Sequence, residues 1–88
     1  MVRKRQPSPG KQLRRIRQQL GLTFRDVNQA SLRIARELRL RKFAIPPSRL
    51  HDYETKDNIP SIFRVYTLAR VYRRTVAEVL SWYRIPSL

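Results

Sequence analysis

The sequence predicts an all-α domain of five helices, and three observations carry that prediction. Apolar residues recur three and four positions apart along most of the 88 residues, the spacing of one helical face. Serine, threonine, glycine and proline stand where those stretches begin and end, as helix caps require. No alternation of apolar and polar residues lasts long enough for a strand, and no internal repeat is present.

The elements follow in order. Residues 1–9 carry Arg3, Lys4 and Arg5, two prolines and no periodicity, and read as a flexible basic arm. From Gly10, the residues Leu13, Ile16 and Leu20 share a face, with Arg14, Arg15 and Gln18 off it, and Gly21 stops this helix in a left-handed cap. Thr23 caps a second helix, and Asp26 is placed favourably against its dipole. The stripe Phe24, Val27, Ser31, Ile34 and Leu38 extends that helix to Arg39, and "RLRKFAI" then reads as a loop. Pro47 disfavours helix at Pro46 but is preorganised for a first turn, so a third helix runs from Pro47 to Thr55 with Leu50 and Tyr53 inward. "KDNIP" is a turn. Pro60 and Ser61 begin a fourth helix with the stripe Ile62, Val65, Tyr66, Ala69 and Tyr72. "TVAE", Thr75 to Glu78, matches a capping box for a fifth helix carrying Val76, Val79, Leu80 and Tyr83. One domain is expected over residues 10–83, with a short tail over 84–88.

Charge is the strongest functional signal. Twenty Lys+Arg against six Asp+Glu give +14, and the pI is near 11.7. A polyanionic partner is implied, nucleic acid before an acidic membrane surface. Sixteen of the twenty bases are arginine, whose planar fork suits phosphates and guanine edges. Residues 1–44 hold thirteen bases and two acids, residues 45–88 seven and four, so the basic excess sits in the first half.

Other classes are disfavoured. No cysteine is present, which excludes disulfides and thiolate metal sites and fits an intracellular setting. No apolar run approaches the roughly 20 residues of a membrane span, and no hydrophobic segment follows the basic start to make a secretory signal. One histidine, no paired carboxylates on a helical face and only two glycines leave no catalytic, metal or phosphate-loop constellation. No enzyme activity, metal, cofactor or small-molecule ligand is expected.

The ordered segments "LRRIRQQLGLTFRDV", "SRLHDYE", "IPSIFRVYTLARVY" and "TVAEVLSWY" resemble the helix-turn-helix domains of the phage-repressor (lambda repressor/Cro-like, XRE-type) family. Tyr53-Glu54, Pro60-Ser61, Leu68-Ala69, Thr75 and Val79-Leu80 carry the resemblance, which covers Gly10 to Tyr83. It implies a five-helix lambda-repressor-like domain that binds double-stranded DNA as a transcriptional regulator in the cytoplasm, at the nucleoid. The chain departs from the family in three places. Val27 and Leu50 are 23 positions apart, about a dozen more than usual, so the second helix is extended and a long loop precedes the third. Lys56 stands where a glycine usually follows the third helix. Phe24 replaces a polar residue that often holds a phosphate, a role Arg25 can assume.

The resemblance makes Pro47–Thr55 the recognition helix in the major groove. Pro47, Ser48, Arg49, His51 and Asp52 are then the base-facing residues. Arg49 suits guanine O6 and N7, while Asp52 either accepts from cytosine N4 or orients Arg49. Phosphate contacts are expected from Thr23, Arg25, Thr55, Lys56 and Asn58. The inserted Arg33, Arg36, Arg39, Arg41 and Lys42 form either a second backbone-tracking surface or a solvated face. Arg3, Lys4 and Arg5 would lie along a groove. In relatives the position of Glu54 pairs with an arginine of helix one, here Arg17, so a structural Arg17–Glu54 ion pair is implied. Family dimers bind half-sites one helical turn apart, which makes a homodimer one implied arrangement, although no dimer seam stands out. Trp82 and Tyr83 either close the core or form such a face. The alternative function is an antitoxin-like or other basic protein-interaction module, or an RNA-binding protein. RNA is disfavoured by the lack of exposed aromatic platforms.

Overall fold

A computed structural model describes residues 7–85. The helices are α1 (Pro9–Gln19), α2 (Phe24–Glu37), α3 (Pro47–Thr55), α4 (Ile62–Val71) and α5 (Val76–Trp82), with a short 3-10 turn at Arg41–Phe43. Among the described residues there is no strand. The arm residues Arg3, Lys4 and Arg5 lie outside the described residues.

Local chemistry explains the helix starts. The Ser8 hydroxyl accepts from the Lys11 amide at 3.3 Å, and Pro9 occupies the first turn, so α1 begins one residue before Gly10. At α2 the capping box is reciprocal: the Asp26 amide donates to Thr23 Oγ1 at 3.1 Å and the Thr23 amide donates to Asp26 Oδ2 at 2.8 Å. Ser61 caps α4 from outside, accepting from the Arg64 amide, so Pro60 and Ser61 precede that helix. At α5 Thr75 accepts from the Glu78 amide at 3.0 Å, but the Glu78 carboxylate turns to Arg74 at 3.4 Å. The motif there is half a box.

The ends share one device. Leu22 donates to the Arg17 carbonyl and Gly21 to the Gln18 carbonyl, both at 3.0 Å, while Gly21 is left-handed at φ 69°. The same double closure recurs at Arg39 (φ 56°), Arg73 (φ 58°) and Arg84 (φ 61°), with arginine in the glycine position. Helix α2 therefore stops at Glu37, two residues short of the expected Arg39, because the left-handed turn at Arg39 carries no glycine to announce it. A side chain in this conformation costs about 1–2 kcal/mol, offset partly by the extra backbone entropy of glycine. Arg73→Gly is therefore expected to stabilise the fold by about 0.5–1 kcal/mol, raising Tm by about 2–8 °C in a thermal melt. An unchanged or lower Tm would show that the Arg73 side chain makes an offsetting contact.

The main core joins Leu13 and Ile16 of α1, Val27 of α2, Ile45 just before α3, Leu50 and Tyr53 of α3, Leu68 of α4 and Tyr72 at the α4 cap. A second cluster, Val65, Ala69 and Val79, joins α4 to α5, and Trp82 packs against both. Trp82 and Tyr83 thus pack against the core of the same chain. The expected stripe of α4 is buried at Val65, Ala69 and Tyr72 but not at its other two positions. Thr67 and Leu68 are fully buried, whereas Ile62 is 61% and Tyr66 36% exposed. Phe43 reaches α4 from the 3-10 turn and stands edge-on to Phe63 at 5.3 Å and Tyr66 at 5.5 Å. On α2, Ala35 takes the buried place expected of Leu38, which lies beyond the helix end and is 38% exposed.

Candidate nucleic-acid interface

Helix α3 presents two opposed faces. Leu50, Tyr53 and Glu54 are buried, while Pro47, Ser48, Arg49 and His51 are exposed and Asp52 is half-buried. Such a short helix needs support at both ends to hold one direction.

The support at its start comes from the inserted segment. Three consecutive carbonyls are each held by a different side chain: Phe43 by Thr67 Oγ1 (2.7 Å), Ala44 by Arg64 Nε (2.9 Å) and Ile45 by Asn28 Nδ2 (2.9 Å). The Ile45 amide donates to Ser31 Oγ at 2.8 Å, and the Ile45 side chain is fully buried. Pro46 then continues extended, and Pro47 opens the helix. Arg64 also donates from Nη1 to Tyr53 Oη at 3.0 Å, so one guanidinium grips both the lead-in and α3. The expected loop is thus a short 3-10 turn fastened to α2 and α4. Its signal in the sequence was two polar residues, Ser31 and Thr67, on otherwise apolar helix faces, since a buried hydroxyl requires a partner.

The other end of α3 is tied to α1. Arg17 Nε donates to Glu54 Oε2 at 2.7 Å and Nη2 to Oε1 at 3.1 Å, a bidentate pair with side chains 13% and 2% exposed. Arg17 Nη1 donates to the Leu22 carbonyl at 2.9 Å, and its guanidinium lies 4.4 Å over the Phe24 ring. The hydrogen bond to Glu54 raises the Arg17 pKa against the effect of burial. Sequence reasoning missed a second tie. The Gly10 amide donates to Asp57 Oδ1 at 2.8 Å, and a Cβ on Gly10 would meet the Glu54 carbonyl oxygen. Asp57, at φ 54°, is the left-handed residue after α3; Lys56 has φ −113° and needs no glycine.

The chain matches no protein-family model, no curated protein and no solved structure. What the site can do follows from its own geometry.

Arg49 is exposed on the outward row, without an ion-pair partner among the described residues. Asp52 does not orient it: Asp52 Oδ1 faces Lys56 Nζ at 3.6 Å and His51 Nδ1 at 3.8 Å. Thr55 Oγ1 donates to the His51 carbonyl at 2.8 Å, so its hydroxyl proton is engaged within the helix. At the start of α2 the Thr23 amide is held by Asp26, whose pKa that backbone hydrogen bond lowers. An incoming phosphate would meet a carboxylate there, which argues against Thr23 as a contact and leaves exposed Arg25. Phe24 is structural, packed beneath Arg17 and edge-on to His51 at 6.2 Å. Asn58 is exposed in the turn after α3.

The inserted bases do not form one strip. Arg33 lies with Ala30, Val71 and the Glu37–Arg70 ion pair (2.6 Å) on the α4 side of α2. Arg36, Arg39 and Arg41 line a different groove, beside the lead-in to α3. Lys42 Nζ sits 5.3 Å from the Phe63 ring. Arg14, by contrast, lies beside α3. It lines a cleft between α1 and α3 together with Arg17, Phe24, His51 and Thr55. Its place one turn before Arg17 was the available signal. No helix among the described residues is long and apolar enough to cross a membrane.

Proposed function

We propose that the chain is a sequence-specific double-stranded DNA-binding protein, a transcriptional regulator of the helix-turn-helix type with α3 as its reading helix. The observation that carries this reading is the outward row of exposed Ser48, Arg49 and His51 with half-buried Asp52, on a helix held at both ends by buried and part-buried polar contacts. A side chain reads a base edge only if its helix keeps one direction, and these ties supply that rigidity. Arg49 serves as the bidentate reader of guanine. Arg14, Arg25, Lys56 and Asn58 flank it and set register on phosphates. The net charge of +14 supplies strong, salt-dependent attraction to the duplex. The resemblance to phage-repressor domains supports the same assignment, and a nucleoid-associated place in the cytoplasm goes with it.

Selection of bound duplexes from a random pool is expected to return a consensus, whose symmetry reports the oligomeric state. Arg49→Ala is expected to cost about 1–3 kcal/mol of discrimination and to relax one position of that consensus. Arg25→Ala and Lys56→Ala are expected to weaken all duplexes alike and to reduce the salt slope by about one each. Equal affinity for every duplex, or an unchanged consensus in Arg49→Ala, would overturn sequence-specific reading by α3.

A further inference from the structure

The groove between the end of α2 and the 3-10 turn has a character of its own. Its floor is apolar, formed by Leu32, Ala35, Leu40 and Ala44, and Leu32 and Leu40 are 44% and 40% exposed. Its rim is Arg36, Arg39 and Arg41, none of which has an ion-pair partner among the described residues. Both acids of α2 are engaged elsewhere, Asp26 at the amide of Thr23 and Glu37 at Arg70. The groove encloses about 400 Å³, enough for a few side chains.

We infer that this groove is a docking site for a short acidic segment of a partner protein, with aliphatic anchors on the leucine–alanine floor and flanking carboxylates on the three arginines. Charge complementarity selects the occupant. Compensation of the α2 dipole accounts for a basic residue in the last turn, not for three arginines around an apolar floor. A phosphate backbone would satisfy the rim but leave the leucines without a partner, and seating it on them would strip its hydration unrewarded. An amphipathic acidic segment answers both halves, by the helix-in-groove mode with arginine–carboxylate pairing at the edges. The site lies in the inserted segment, apart from the outward row of α3, and does not depend on that row reading DNA. Binding of both would let the protein bring a partner to a duplex.

The test uses the full chain and a fluorescent synthetic peptide carrying two leucines one helical turn apart, flanked by glutamates. Saturable binding is expected in anisotropy, weakened about tenfold or more by Leu40→Asp and by Arg36→Glu/Arg41→Glu. A peptide with the same residues scrambled off one face, or with lysines for glutamates, is expected to bind far more weakly. Circular dichroism confirms that the variants fold. Amide shifts in the unmutated protein, expected at Ala35 and Ala44 but not from Ser48 to Asp52, keep the proposal testable if they do not. Equal binding of the scrambled peptide would overturn it, as would shifts confined to α3. So would Leu40→Asp weakening duplex binding while leaving the peptide unaffected, which would assign the groove to the DNA surface. Loss of DNA specificity with peptide binding intact would sink only the reading of α3.

Discussion

Glu54→Ala is expected to lower stability by about 3–5 kcal/mol, the cost of stranding one member of a buried charge pair. Its partner Arg17 is only 13% exposed at the side chain, so the freed guanidinium cannot swing fully into water. It would also keep its bond to the Leu22 carbonyl and its seat over Phe24, which hold it where no counter-charge remains. A small domain has about 5–15 kcal/mol in total, so this variant stands near unfolding. Arg17→Ala is expected to lose a comparable amount. The double replacement Arg17→Met/Glu54→Met is expected to lose less than either single change to alanine, because no charge is left unpaired. Urea denaturation of the four proteins decides the matter. A loss under about 1 kcal/mol for Glu54→Ala would place the pair with ordinary surface salt bridges. The functional consequence is direct, since Glu54 is the last buried residue of α3. Under the proposed function, a variant that remains folded but frees this end is expected to bind duplexes more weakly and to return a blurred consensus.

Gly10→Ala is expected to destabilise by about 2–4 kcal/mol, from forced overpacking and a disturbed hydrogen bond. In most helices the same change stabilises, by about 1 kcal/mol. Here the added Cβ would meet the Glu54 carbonyl and lie 2.7 Å from both the Tyr53 carbonyl oxygen and Asp57 Oδ1. Two of those atoms are backbone in the last turn of α3 and cannot step aside. Asp57 is held by the bond from the Gly10 amide itself. Gly21→Ala is the internal comparison. Gly21 is left-handed at φ 69°, but nothing lies within 4 Å of its added Cβ, so only the conformational cost of about 1 kcal/mol remains. Chemical denaturation should rank Gly10→Ala well below Gly21→Ala. The opposite order would mean that α1 and the end of α3 are not in contact.

Much of this architecture is legible along the chain. Pro46-Pro47 marks the start of α3, and its bounds, Pro47–Thr55, are those the sequence predicts. Thr23, Ser61 and Thr75 mark the starts of three more helices, each accepting from the amide three residues on. The Arg17–Glu54 pairing came from the family resemblance; spacing alone has no means of joining residues 37 apart. The end of α2 has no mark in the sequence, because arginine, not glycine, takes the left-handed turn at Arg39. On α4, Val65, Ala69 and Tyr72 are buried as their spacing predicts, but Ile62 and Tyr66 fit a helical stripe as well as buried Leu68 does and lie exposed. Choosing between them depends on how α2, the 3-10 turn and α5 pack around α4.

The division between the two levels of information is physical. Helix positions, the net charge of +14 and the polar outer row of α3 are set by residue type and by interactions within three or four positions, so a single sequence carries them. The direction of α3 is set by contacts between distant residues: Asn28 and Ser31 at Ile45, Thr67 at Phe43, Arg64 at Ala44, and Gly10 with Asp57 across 47 positions. Each needs two elements already packed before donor and acceptor can meet. The same holds for the inserted arginines, which are evenly spread in sequence but sorted by packing into an α4-side group and the rim of an apolar groove.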